Sequence, residues 1–215
     1  WHGKSNPPKG FRDAEYKLTV DGYKQIINDF CMALELKSPV VMGCSTGGRI
    51  ACHLALENPN YFRAMIALES ADKLEPYYNL DWLHRPDVHG GEVQAAFVSS
   101  QVAPTSPNEY RWETLWHYMQ GGPGVFKGDL HFYWLDGDFD DRSKQIDTTA
   151  CPIYLMSGEY DCSCTPEHTI ATAARIDGSK AIVMAGIGHF PMSENPLLFK
   201  THLMPVLDEI MKIRQ

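Results

Sequence analysis

The chain has 215 residues, is 44% hydrophobic and 21% charged, and carries a formal net charge of −8. That length supports one sizeable core, and the composition is ordinary for a globular protein. No Lys/Arg cluster offers a surface for nucleic acid or anionic membrane, and no apolar run approaches a membrane span or a secretory leader.

The cysteines Cys31, Cys44, Cys52, Cys151, Cys162 and Cys164 lack metal-finger spacing, and Cys162-Ser-Cys164 is C-x-C rather than the redox pattern C-x-x-C. They read as reduced, mainly buried thiols, which points to an intracellular, cytoplasmic setting.

Residues 1 to 18 are rich in Pro, Gly, Lys and Asn and read as loop. Thr19 opens a helix with Asp21 in its first turn, and Tyr23, Ile26, Ile27, Phe30 and Leu34 form an apolar face that ends at Leu36-Lys37-Ser38-Pro39. Val40-Val41-Met42 then runs as a strand into Gly43-Cys44-Ser45-Thr46-Gly47-Gly48 and on into an amphipathic helix. Strand, sharp turn and helix with a serine at the tip match the G-x-S-x-G nucleophile elbow. The glycines give room where strand and helix nearly touch, and Ser45 is expected in a strained backbone conformation. The plainer alternative is a strand–helix turn with Ser45 as N-cap.

Ile50, Ala51, Leu54 and Ala55 face a core, Asn58-Pro59 ends the helix, and residues 62–68 read as the next buried strand. Residues 70–149 break this rhythm. They hold 13 of the 24 aromatics, with turn clusters at Gly90-Gly91, Pro104 to Pro107 and Gly121 to Gly124. An insertion of short helices is expected, because a plain loop of that length is implausible in a compact domain. Asp136, Asp138, Asp140 and Asp141 imitate part of a calcium loop, but position six is Asp141 rather than Gly; a solvated loop is expected instead.

Regularity returns with a strand at residues 151–157, followed by Gly158-Glu159-Tyr160-Asp161. Thr165-Pro166-Glu167 starts a helix, Ala181 to Met184 forms a strand, and Gly188-His189 follows it. Asn195-Pro196 starts a last helix, which Pro205 is expected to kink. Alternating strands and helices imply a parallel sheet covered on both faces, in which ligands sit beyond the carboxyl ends of the strands. Ser45, Asp161 and His189 all fall just past such ends, in the order Ser…Asp…His. This points to Ser45 as nucleophile, His189 as base and Asp161 as its orienting acid, with Glu69 and Asp72 as rival acids. The remaining histidines, including His53, His84, His89, His117, His131 and His202, are expected to be structural or, within residues 70–149, to touch substrate.

These motifs resemble those of serine hydrolases of the α/β-hydrolase superfamily: the G-x-S-x-G elbow, the acid turn at Gly158 to Asp161, and the histidine loop Gly188-His189-Phe190-Pro191 with Glu194-Asn195-Pro196 behind it. Trp1-His2-Gly3-Lys4-Ser5 is similar to the family's H-G-x-S loop. The resemblance implies hydrolase core at 1–69 and 150–215, with a helical lid at 70–149. It implies an oxyanion hole that uses the Thr46 backbone N–H, substrate contacts at Cys44, Trp112, Trp116 and Trp134, and no metal or organic cofactor. It also implies preceding strands and a loop carrying the second oxyanion donor. The chain therefore reads as the C-terminal two-thirds of such a protein and is expected to depend on that segment for full turnover. The expected reaction is cleavage of an ester or related acyl bond of an apolar or aromatic small molecule. A carbon–carbon hydrolase, a ligand receptor and an acyltransferase share the same architecture.

Overall fold

A computed structural model of the protein describes residues 2–76 and 91–213. Trp1, His84, His89 and Gly90, named above, lie outside the described residues, as do the aromatics Tyr77, Tyr78 and Trp82 counted there.

Four parallel strands form one sheet in the order β1-β2-β3-β4: β1 is Val40–Cys44, β2 Ala64–Leu68, β3 Ile153–Gly158 and β4 Lys180–Met184. The register aligns Cys44 with Leu68, Leu68 with Met156, and Gly158 with Met184. All four strands therefore end at one edge. The chain leaves that edge into Ser45, Glu69, Glu159 and Ala185.

The two central strands are buried on both faces, as a parallel sheet under helices requires. Met65, Ala67, Ile153 and Leu155 pack on one side with Leu54, Phe62 and Phe139. Ala64, Ile66, Leu68, Tyr154 and Met156 pack on the other with Phe199, Val206 and Ile210. The first side is covered by α1 (Val20–Ala33), α2 (Thr46–Glu57) and α6 (Pro166–Arg175), and the second by α8 (Pro196–Ile210). Between β2 and β3 the described chain forms α3 (Gly91–Ser99), α4 (Asn108–Tyr118), α5 (Val125–His131), a π-helical turn at Phe132–Asp136 and a 3-10 helix at Asp140–Gln145. The short helix α7 is Pro191–Glu194.

Several sequence expectations shift. Thr19 caps α1, its side chain accepting from Gly22 N–H at 3.1 Å. The helix stops at Ala33, not Leu36, because Glu35 turns left-handed (φ 52°). Leu36 N–H then reaches Cys31 O at 2.9 Å and Glu35 N–H reaches Met32 O at 3.0 Å, a Schellman closure built on Glu rather than Gly. Of the expected apolar face, Tyr23 and Ile27 pack inward, while Ile26, Phe30 and Leu34 are more than half exposed. No helix of the described residues is long and apolar enough to cross a membrane. All six cysteines are free; Cys44 is half-buried, Cys162 exposed and the others buried.

Candidate active site

Ser45 has φ 57° and ψ −112°, a left-handed conformation that costs a non-glycine residue on the order of 1–3 kcal/mol. The elbow holds it there. Ser45 N–H bonds Leu68 O on β2 at 2.8 Å, while Ser45 O accepts from Gly48 and Arg49 as α2 begins. A side chain on Gly43 would overlap the Gly47 carbonyl, and one on Gly48 would come within 2.6 Å of Ser70 Cβ and 2.8 Å of Leu68 O. Strand and helix are thus in backbone contact, which points the serine side chain away from both. Thr46 opens α2, so its N–H is one of the first-turn donors with no acceptor inside the helix.

His189 follows β4 and is 4% exposed. Its Nδ1 bonds Asp161 Oδ2 at 2.8 Å, and its N–H donates to Gln101 O at 2.9 Å. The other Asp161 oxygen accepts from Ser163 and Cys164 N–H at 2.8 and 3.0 Å. Burial opposes the charge on Asp161. The His189 charge and the hydrogen bonds from His189, Glu69 and Cys164 outweigh it and hold the carboxyl below its ordinary range. Ser45, Thr46, Cys44 and His189 line one cavity of about 600 Å³.

Neither rival acid bonds His189. Asp72 is occupied by Arg175, Thr172 and Ser143, with Arg175 Nε at 2.6 Å. Glu69, fully buried and left-handed at φ 47°, sits behind Asp161 instead. Its Oε2 accepts from Gly158 N–H at 2.8 Å. Burial and then the Asp161 charge raise its pKa well above the ordinary value, and its Oε1 is buried without a completed hydrogen bond among the described residues.

Glu194 organises the histidine loop. Its Oε1 accepts from Gly188 N–H at 2.6 Å and Phe190 N–H at 3.2 Å, on either side of His189. Its Oε2 accepts from Ala103 N–H at 2.7 Å and Ser106 Oγ at 3.0 Å. One buried carboxylate therefore joins the histidine loop to the segment before α4.

The cavity walls include Phe97, Tyr118, Phe126, Leu130, Trp134 and Phe190. Of the three tryptophans named from the sequence, Trp134 lines the cavity and Trp112 and Trp116 do not: they lie on the outer face of α4, 72% and 60% exposed. The next residues, Glu113 and His117, line the cavity instead. Cys44 lines it too, with its thiol donating to His189 O at 3.2 Å; burial, then the nearby acidic groups, push its pKa well up, so it is a neutral wall group. Among the other histidines, His53 bonds Gly137 O, His131 meets Leu18 O and His202 meets Ala185 O. Asp136 and Asp138, the start of the calcium-like run, accept from Val20 N–H at 2.6 Å and from Arg49 at 3.0 Å.

Sequence reasoning gave no role to Arg49 or Tyr133, and named Glu194 only as part of the motif behind the histidine loop. Arg49 carried one signal, as the charged residue one turn after Ser45 amid small and apolar neighbours. Tyr133 carried none beyond the aromatic density of its segment.

The model for the alpha/beta hydrolase fold matches residues 2–117. No curated protein matches the chain. Among solved structures, a hydrolase from Pseudomonas aeruginosa superposes with TM-score 0.78 at 20% identity, over 96% of this chain and 76% of that one. A thermophilic esterase from Thermogutta terrifontis superposes with TM-score 0.74 at 19% identity, over 92% and 75%. The enol-lactonase from Burkholderia xenovorans superposes with TM-score 0.77 at 14% identity, over 99% and 78%. At such identities these are likenesses of fold. With more than half of its residues matched by the family model and the same sheet edge carrying the serine turn, the chain belongs to the α/β-hydrolase fold family.

Proposed function

We propose that the protein is a serine hydrolase that cleaves an ester or related acyl bond of an apolar or aromatic small molecule through a Ser45 acyl-enzyme. The observation that carries this reading is the meeting, in one cavity, of a serine held in a strained turn and a buried histidine whose Nδ1 is bonded to a carboxylate. With Asp161 on Nδ1, the imidazole keeps its proton there and offers Nε2 as the base. His189 takes the Ser45 proton as Oγ adds to the acyl carbon, and the carbonyl electron pair moves onto oxygen beside the Thr46 N–H. Collapse expels the leaving group with the proton from His189. Water, deprotonated by His189, then releases the acid and restores Ser45.

The aromatic and aliphatic walls favour an apolar substrate body. Glu113 and Asp129 line the same cavity, and among the described residues no Lys or Arg does. A neutral or cationic substrate is therefore favoured over a carboxylate. The helices between β2 and β3 act as its lid in this reading.

Labelling the full-length protein with a fluorophosphonate, followed by peptide mapping, tests the mechanism. Modification at Ser45 that is lost in His189→Ala is the expected result. A folded protein that takes no label at Ser45 would overturn it.

A further inference from the structure

The proposed triad leaves Tyr133 unexplained. It lies in the π-helical turn Phe132–Asp136, which continues α5. Such turns shift side chains off the helical face and recur at functional sites. Tyr133 is 2% exposed and lines the cavity that holds Ser45. Its buried hydroxyl completes no hydrogen bond of full geometry with a described residue, and the polar side chain beside it is Ser45. A buried hydroxyl without a partner is costly, and a native site that keeps one calls for a partner that arrives with the ligand.

The ring is also held firmly. Arg49, one turn after Ser45 on α2, is fully buried. Its guanidinium lies 4.5 Å from the Tyr133 ring centroid, and its Nη1 donates to the Tyr133 carbonyl. The same guanidinium donates to Ala71 O at 2.8 Å and Asp138 Oδ1 at 3.0 Å. The helix that begins at Ser45 thus fixes the tyrosine whose hydroxyl lies beside Ser45. Burial raises the phenol pKa well above its ordinary value, so the group remains a donor at any working pH.

We propose that Tyr133 is a catalytic residue whose hydroxyl donates a hydrogen bond to an oxygen on the substrate carbon that Ser45 attacks, with Arg49 as its positioning residue. This rests on the hydrolase reading above. The bond strengthens as that oxygen gains negative charge, so it acts on the transition state more than on the bound ester. The phenol keeps its proton throughout and forms no covalent bond.

Tyr133→Phe removes the hydroxyl and keeps the ring on Arg49. With the p-nitrophenyl ester of a short apolar acid, kcat of the full-length variant is expected to fall about 10- to 100-fold while KM changes little. The rate of fluorophosphonate labelling is expected to fall with it, because the phosphoryl oxygen takes the same place. The urea midpoint is expected to hold or rise, since an unsatisfied buried hydroxyl has been removed. Wild-type kcat and labelling rate in a folded Tyr133→Phe variant would overturn the proposal. Ester turnover that survives Ser45→Ala would overturn the hydrolase reading itself, whatever Tyr133 does.

Discussion

At Glu69 and Asp161 the strands deliver two carboxyl groups to the back of one imidazole, and their environments drive them apart. Against its burial, Asp161 is held below the ordinary range by His189 and backbone N–H groups; Glu69 is raised well above it by burial and then by the Asp161 charge. Glutamine keeps the size of Glu69 and carries no charge, and its oxygen can still accept from Gly158 N–H. Glu69→Gln is therefore expected to keep kcat within about threefold. Glu69→Ala is expected to lose about tenfold or more in kcat, together with about 2 kcal/mol or more of stability. Ester turnover and urea denaturation of the two variants check this; equal kcat losses would mean that the proton on Glu69 is not what Asp161 needs. In sequence, Asp161, Glu69 and Asp72 are three acids following two strands. Only the bonds of His189 to Asp161, and of Asp72 to Arg175, separate their roles.

For the elbow as an element, its three glycines, Gly43, Gly47 and Gly48, carry different duties that G-x-S-x-G does not distinguish. A methyl on Gly43 runs into the Gly47 backbone, which cannot swing aside. A methyl on Gly47 meets nothing nearer than Tyr23 Oη at 3.8 Å. Gly43→Ala is expected to cost about 3 kcal/mol and Gly48→Ala about 1–3 kcal/mol, whereas Gly47→Ala is neutral or slightly stabilising in its helix. Urea midpoints rank the three, and a Gly43→Ala variant as stable as Gly47→Ala would refute the contact geometry. On α4, Trp112 and Trp116 share a face by their i,i+4 spacing, which was legible. Which way that face turns was not: α4 packs on α3 and α7 with its other side, sending Glu113, His117 and Tyr118 to the cavity.

Across the whole molecule, two buried groups set opposing pH dependences. His53, 3% exposed, stacks on Phe139 at 3.9 Å and bonds Gly137 O. Burial lowers its pKa from 6.5 to about 4. The unfolded chain therefore binds the extra proton first, so the stability His53 contributes is complete above about pH 6.5 and is lost as pH falls toward 4. Glu69 has the opposite sign. Its contribution is complete below the ordinary glutamate value of 4.5 and is lost as pH rises through its elevated pKa. The two act in opposite directions, so the parent protein is expected to show a shallower pH dependence than His53 alone would give. His53→Gln removes one arm, so its stability relative to the parent is expected to be about 2 kcal/mol better at pH 5 than at pH 7. Urea denaturation at both pH values measures this difference; a pH-independent effect of the substitution would rule the account out.

The sequence by itself determined the alternation of strand and helix, the positions of the strand ends, and the three residues that follow them as nucleophile, base and acid candidates. These are local properties: hydrophobic period, caps such as Thr19 and Asn195, and glycines at a turn. Tertiary structure alone decided what depends on contacts between distant segments. It separated Asp161 from Glu69 and turned Trp112 and Trp116 outward. It exposed Ile26, Phe30 and Leu34 on a helix face that periodicity assigned to a core. It also locked the segment between β2 and β3 onto the elbow helix through Arg49 and bound the histidine loop through Glu194. Charge, burial and hydrogen-bond partners arise from proximity in space, and a linear order of residues carries no record of which side chains will meet.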